Sequence, residues 1–543
     1  MSEGIVRPLC ARSGAGTNAS PGAPGTVQDR PARPRRRNFA GNFLFQGRRP
    51  LAVGLPFLGL VLALPAGAIA LLRGFDGLYG QDAYAYFDYG AVAVRQSILH
   101  VTPLEPFFWP PGYPVLVALA ALAFGPIPLA GQGVSLLMGA LVPAFTALLV
   151  RELWPSDLGL AVLAGVLVAL CGQLWQSSIV VMADTTGLAL ATLSAWALVR
   201  YQRTGRLHWL LAASAAVAYA TLGRWIYGLV AVPFALYALL ALPRARVGTA
   251  VVHAVAAVLL AAALLVPVLG SPLLGLLRDP SAPAAFAGNL QVYSWSPLNA
   301  FRRDFFTADG HLSYVLPNGV YYAIAPANLA FFGPLLAPWV IVGLWAAARD
   351  WRRPTVLLVV GWAAVVFAFH AGAAWQNFRF TLAYLPPLAI LVAAGLIWTW
   401  RHVNRRIGVL VLLCGALGLA STASGAVRLV EGFIDRKDDD LALVRWVQAQ
   451  TPSGAQLLSF GPTLAFRHYT PLPTFDLFDL TPGDLDSVLA VPAPTYVLLD
   501  EQNVQDQWLG QAPELNWRRL RDRPGVSEVG TRGSFTLVRV GPP

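Results

Sequence analysis

The 543-residue chain is 56% apolar and only 12% charged, with a formal net charge of +11. A soluble domain carries charge at roughly twice that frequency, so a water-soluble globular protein is excluded. The positive residues are spread over short connections rather than one polar face, which excludes a nucleic-acid binder. The scattered Cys10, Cys171 and Cys414 exclude a disulfide framework and a cysteine metal site.

Residues 1–50 are rich in Gly, Pro, Ala and Arg and contain Arg33-Pro34-Arg35-Arg36-Arg37. Such a stretch buries too little apolar surface to fold and reads as a disordered basic cytoplasmic tail. It is not a cleavable signal peptide, because the apolar run starts late, is long, and ends in no small-residue cleavage site.

From residue 51 the apolar residues fall in blocks of about 17–24, the length that crosses a hydrocarbon core of roughly 30 Å. Spans are expected near 51–72, 129–150, 157–180, 185–200, 207–223, 225–243, 248–269, 330–348, 354–370, 380–400 and 407–426. The fold class is therefore an α-helical polytopic membrane protein of about eleven transmembrane helices, occupying 51–426. With the N-terminus inside, the inner side carries 21 positive residues and the outer connections before residue 427 carry seven, as the positive-inside rule requires. Nearly all are arginine, and Lys437 is the one lysine. The apolar stretch 112–126 is short for a span, and counting it as one would reverse every later loop. It is read as a helix that lies on the membrane surface or re-enters it.

The outer side then holds loop 73–128, loop 271–329 and a C-terminal domain, 427–543. That domain has 11 basic and 15 acidic residues. An amphipathic helix is expected near 438–450, with Leu441, Val444 and Val447 at helical spacing. Strand-like runs follow at 456–460, 495–500 and 534–540. Thr481-Pro482-Gly483-Asp484 has the form of a helix N-terminus. Helices alternating with strands predict a small extracytoplasmic α/β domain.

In the first outer loop, Asp82 stands just beyond the first span, followed by Asp88 and Glu105 among Tyr84, Tyr86, Tyr89, Phe107, Phe108 and Trp109. Aromatics at an interface commonly form an anchoring belt, and carboxylates there are commonly solvated. Asp82 sits where the loop re-enters the interface, which is costly for a charge without a task. Asp184, between SSIVVMA and TTGLALATLSAW, is the next isolated acid; a helix N-terminus could explain it by capping and dipole alone. Arg224 and Arg379 sit at comparable depth. Each either snorkels to headgroups or offers a planar fork to a phosphate. His370 closes a later span, where one histidine reads as an interfacial hydrogen-bonder or a substrate contact. No cluster has strong metal spacing, although Asp82 with Asp184 admits a divalent cation through oxygen ligands. Loop 271–329 mixes Tyr293, Trp295, Phe301, Phe305, Phe306, Tyr314, Tyr321 and Tyr322 with small polar residues. That mixture suits sugar stacking or a lid, and suits an interfacial loop equally well.

An outward acid after the first span, the Pro110-Pro111-Gly112-Tyr113-Pro114 helix start, a second acid opening a later span, and an arginine in the following outer turn together form a pattern. It resembles the GT-C membrane glycosyltransferases, in the branch of protein O-mannosyltransferases and aminoarabinose lipid A transferases (glycosyltransferase family 39-like), over roughly residues 51–400. The resemblance implies a polyprenyl-phosphate sugar donor, an acceptor hydroxyl of a protein, lipid or polysaccharide on the outer face of the plasma membrane, and inversion at the anomeric carbon. It casts Asp82 as catalytic acid residue and Asp184 as the second. Arg224 and Arg379 become phosphate ligands. From their place beside these charges, Tyr84, Tyr86, Glu105 and His370 are expected as substrate contacts. Two positions depart from the pattern: Ala83 follows Asp82 where a second acid occurs, and Trp109 stands where some relatives have lysine. The rivals are a multi-span transporter, whose charges would lie at mid-depth, and a non-catalytic envelope assembly protein.

Overall fold

A computed structural model describes residues 49–105, 107–278, 295–307 and 309–541. Residues 1–48 of the expected tail (1–50) and Tyr293 lie outside the described residues, and Arg49 and Pro50 already belong to the first helix. The described chain is mostly helical. Helix α1 (Arg49–Leu72) leads to α2 (Gln81–Phe87), which continues without a break as a π-helix (Asp88–Val94) and a last α stretch (Arg95–His100), and then to α3 (Gly112–Phe124) and α4 (Pro128–Leu153). There follow α5 (Leu158–Ala169), α6 (Gly172–Ile179), α7 (Asp184–Thr204), α8 (Leu207–Gly223), α9 (Ala231–Leu240) and α10 (Val247–Arg278). Beyond the next connection come α11 (Trp339–Asp350), α12 (Arg353–Gly372), α13 (Leu385–His402) and α14 (Arg405–Gln450).

Among the described residues, five helical segments are by themselves long and apolar enough to cross a membrane: α4, Val247–Gly270 of α10, α12, Phe378–His402 and α14. The pair α5–α6, bent by 55°, makes a sixth. The bend falls at Leu170-Cys171. There the Trp175 indole donates to the Ala169 carbonyl (2.6 Å) and the Gln173 amide to the Ala330 carbonyl (2.8 Å), so the backbone freed by the break is satisfied inside protein. The remaining expected spans also form helices: α1 has 24 residues, and α7, α8, α9 and α11 are shorter or less apolar than a lone span requires. Helix α3 has 13 residues, about 20 Å at 1.5 Å per residue, and is too short to cross.

Helix α14 runs for 46 residues without a break. The sequence reading placed a span ending at 426 and a separate amphipathic helix from 438; the two are one helix. No glycine-proline signal interrupts the charged stretch Arg436–Asp440, and Val430, Phe433, Ile434, Val444 and Val447 keep one buried stripe through it. At roughly 70 Å it extends well beyond a hydrocarbon core.

The rest of the chain forms a mixed five-stranded sheet. It follows a separate antiparallel hairpin, β1 (Asp304–Thr307) with β2 (Gly310–Ser313). The sheet order is β4-β3-β5-β7-β6, with β3 (Gln456–Ser459), β4 (Thr474–Asp476), β5 (Thr495–Leu499), β6 (Ser527–Arg532) and β7 (Phe535–Val540). Strands β4 and β5 run parallel to β3, and β7 is antiparallel to both β5 and β6. Residues alternate along the central strands, as the two-residue period of a strand demands. Leu457, Tyr496, Leu498 and Leu537 pack toward Val444 and Val447 of α14 and join the core of the helical body. Leu458, Val497, Leu499 and Val538 build a second core with Leu485, Trp508, Trp517 and Leu520. Helices α15 (Thr463–Tyr469), α16 (Pro482–Leu489), α17 (Glu501–Asp506) and α18 (Ala512–Arg521) connect the strands. Thr481 caps α16 in a reciprocal box with Asp484.

Candidate active site

Asp82, Asp184, Arg224 and Arg379 come from four separate stretches of sequence and meet at one end of the helix bundle. Asp184 opens α7. The N-cap position belongs to Ala183, so Asp184 is not itself the capping residue. The segment before it is fastened from two sides. The Gln132 amide donates to the carbonyls of Phe75 (3.1 Å) and Ile179 (2.9 Å), and the Val181 amide donates to the Gly77 carbonyl (3.0 Å). Ser135 and the buried Tyr113 share a hydrogen bond of 2.8 Å on the other side. Arg224 follows α8 in extended backbone. Helix α8 is pressed on the start of α3 so closely that a Cβ at Gly112 would collide with the Leu222 backbone, and the Tyr219 hydroxyl donates to the Gly112 carbonyl (2.9 Å). Arg379 lies in a 3-10 turn, Phe378–Tyr384, capped by Asn377, whose side chain accepts from the Arg379 amide (2.9 Å).

The four charges alternate. Arg224 pairs with Asp184. Arg379 reaches Asp184 at 3.6 Å through Nε and Asp82 at 2.8 Å through Nη2. Asp184 is buried, whereas the Asp82 side chain keeps 28% of its surface open to solvent. The Arg379 guanidinium thus occupies the place between the two carboxylates that the sequence left open to a divalent cation. Both guanidiniums lie 5.6 Å from the ring centre of Phe380. His370 stacks on Phe380 at 5.1 Å and on Tyr322 at 5.4 Å.

These groups border a cavity of about 150 Å³ lined by Asp184, Arg224, Arg379 and His370 together with Tyr86, Trp109, Trp225 and Phe380. Tyr86 is buried and stacks on Trp109 at 5.1 Å, so the two rings form an aromatic wall. Of the eight sequence candidates, Asp82, Asp184, Arg224, Arg379, Tyr86 and His370 are brought together. Tyr84 and Glu105 are not. Tyr84 points to Lys437, and Glu105 is exposed, with its backbone carbonyl accepting from the Tyr89 hydroxyl at 2.6 Å. The sequence reading missed Phe380, Trp225 and Met182, whose sulfur lies 2.9 Å from Arg379 Nη1. The one available signal was their adjacency to Arg379, Arg224 and Asp184. Among the described residues no group of three or more His, Cys, Asp or Glu is placed to hold a metal ion.

A family model described as dolichyl-phosphate-mannose-protein mannosyltransferase matches residues 109–270, under a third of the chain. That stretch holds Asp184 and Arg224. No curated protein matches the chain. Among solved structures, ArnT from Cupriavidus metallidurans bound to undecaprenyl phosphate aligns with a TM-score of 0.54 at 15% identity, over 90% of this chain and 98% of that one. The same protein in the apo state aligns at 0.54 and 16%, over 88% and 97%. At such identities the likeness establishes the fold. The chain therefore has the fold of ArnT, and over residues 109–270 it is similar to the protein mannosyltransferase family.

Proposed function

We propose that the protein moves a hexosyl or pentosyl unit from a polyprenyl-phosphate carrier to an acceptor hydroxyl, with inversion. The observation that carries this reading is the alternating array Asp82–Arg379–Asp184–Arg224 beside an aromatic-walled cavity. The acceptor oxygen attacks the anomeric carbon as the bond to the phosphate oxygen breaks, and the electron pair leaves with the phosphate. Arg224 and Arg379 receive that charge. Asp82, the more open of the two acids, takes the acceptor proton. A phosphate is already a good leaving group, so no general acid is needed. Asp184 holds both arginines in place, and Tyr86, Trp109 and His370 offer faces and a ring nitrogen to the sugar. A divalent cation bound by Asp82 and Asp184 would have to displace Arg379, whose charge serves the same end.

In this reading the chain sits in the plasma membrane with about eleven spans, counting the shorter helices as members of the bundle. Its N-terminus is cytoplasmic, the array faces outward, and residues 427–543 form an extracytoplasmic α/β domain beside it. An outward site suits a lipid-borne donor, because nucleotide sugars are confined to the cytoplasm. Acceptors are a protein, lipid or polysaccharide hydroxyl. ArnT, of the same fold, was crystallised with undecaprenyl phosphate, which supports the choice of carrier. The test is transfer of radiolabelled sugar from polyprenyl-phosphate donors to a membrane extract, with wild type and Asp82→Asn at matched expression. Transfer by wild type and its loss in the variant are expected; equal transfer by both removes Asp82 from the mechanism.

A further inference from the structure

Lys437 is the only lysine of the chain, and its side chain is 4% exposed. Its ammonium, with three N–H donors, lies within hydrogen-bond reach of four oxygens: Asp76 Oδ1 (3.2 Å), the Leu78 carbonyl, and the phenol oxygens of Tyr84 (3.3 Å) and Tyr469 (2.5 Å). The Tyr469 hydroxyl in turn donates to the other oxygen of Asp76. Burial and the Asp76 carboxylate push the Tyr469 phenol well up, so it stays a donor. The ammonium also lies 4.4 Å from the Tyr469 ring centre and 5.5 Å from that of Tyr84, a cation–π geometry. Three remote segments therefore converge on one charge: the connection after α1, the extension of α14, and α15 of the C-terminal part.

The arrangement bears on the site through α2. That helix is the first stretch of a continuous helical run that passes into a π-helix (Asp88–Val94) and a last α stretch (Arg95–His100), and it carries Asp82 and Tyr84 two positions apart. Asp82 stands in the first turn, where the N-cap Gly80 supplies no side-chain bond and the leading N–H groups have no partner within the helix. Its placement must come from contacts. Tyr86 is fixed by Trp109 and Tyr113; Tyr84 is held by Lys437 and packs against the rings of His468 (5.7 Å) and Tyr469 (6.2 Å). Arg73 adds ion pairs to Asp435 (2.6 Å) and Asp438 (3.1 Å) along the same seam, though exposed pairs contribute little. An apolar side chain would fill the place of Lys437 at a lower desolvation cost. What an ammonium adds is direction, since each of its oxygens must sit at a set position.

We propose that Lys437 and Tyr469 are positioning residues for sugar transfer: they clasp the α2 segment to α14 and α15 and so set where the Asp82 carboxylate stands relative to Arg379. The C-terminal part thereby becomes a component of the reaction site. This rests on the reading of Asp82 as the base.

The single lysine provides a direct probe. Full-length protein in phosphatidylcholine nanodiscs is treated with an amine-reactive ester, and modification of the Lys437 peptide is followed by mass spectrometry. Tyr469→Phe removes one hydroxyl and keeps the ring; Lys437→Met serves as the second variant in the transfer assay. Lys437 of the folded wild type is expected to react slowly and that of Tyr469→Phe at least tenfold faster. Both variants should lose about tenfold or more in kcat while the donor KM stays within about twofold, with insertion and thermal midpoint preserved in Tyr469→Phe. Rapid labelling of the wild type overturns the clasp. A wild-type kcat in Tyr469→Phe, with Asp82→Asn inactive, overturns the positioning role and leaves Asp82 as base. Full transfer by Asp82→Asn overturns the reading of Asp82, and the proposal with it, whatever the labelling shows.

Discussion

Replacing Asp82 by Asn should have two effects of opposite sign. In the structure Asp82 and Arg379 are 2.8 Å apart, with side chains 28% and 19% exposed. Unit charges about 4 Å apart at an effective dielectric near 20 attract by about 4 kcal/mol. Solvent screening and desolvation offset most of this, leaving on the order of 1–2 kcal/mol. A phosphate docking on Arg379 must displace that carboxylate, which leaves Asp82 free to face the acceptor hydroxyl. In Asp82→Asn the competition vanishes while Asp184 still holds both arginines. Polyprenyl phosphate should therefore bind roughly 5- to 30-fold more tightly, even as transfer falls by about 10²- to 10⁴-fold through loss of the base. Displacement of a fluorescent polyprenyl phosphate from nanodisc-embedded protein measures the first effect, and radiolabelled transfer the second. Weaker phosphate binding by the variant would refute competition at Arg379, and transfer close to the wild-type rate would refute the base.

Other perturbations separate binding from packing. Arg379→Met and Arg224→Met each remove a charged donor, worth about 1.5–3 kcal/mol. Donor KM should rise by roughly tenfold to a hundredfold in steady-state assays, and an unchanged KM would place the phosphate elsewhere. His468, against Tyr84 and Phe87, is held below its ordinary value by burial, partly opposed by Asp88 and Asp76. A histidine lowered on folding costs nothing above its unfolded value near 6.5 and loses stability as pH falls below it. Amide exchange in 463–469 should accelerate below that pH in wild type and not in His468→Phe. Gly343 of α11 and Gly395 of α13 let the two backbones touch, with any Cβ driven onto the Leu391 and Trp339 carbonyls. Alanine at either should cost about 1–3 kcal/mol, seen as a lower midpoint of thermal unfolding, and an unchanged midpoint would show that the crossing can relax.

The membrane class, the helices and the two acids with their two arginines were legible in the sequence because each depends on a local property. Apolar block length decides whether a segment suits a bilayer, and a lone charge inside such a block is conspicuous because its burial is costly. Thr481 and Asp484 form their cap within one turn. Runs such as QLLS and TYVLL announce central strands through β-branched and apolar residues buried on both faces. Strands β4 and β6 and the hairpin β1–β2 escaped notice. TFD, SEVGTR and GHLS are short or polar, and take strand form from the neighbours that bond them.

The composition of the site was decided elsewhere. Asp82 finds Arg379 across 297 residues and Tyr84 finds Lys437 across 353. No window of sequence contains such a pair. Tyr84, Tyr86 and Glu105 share one loop and look alike as candidates, yet only Tyr86 reaches the cavity. The opening turns of the helical run that starts at Gln81 send Tyr84 to the buried ammonium, and Glu105 remains in solvent. The sequence by itself determined which residues were too costly to bury unpaired. Only the packing of four remote segments decided their partners, because ion pairing and close contact depend on distance in space, not along the chain.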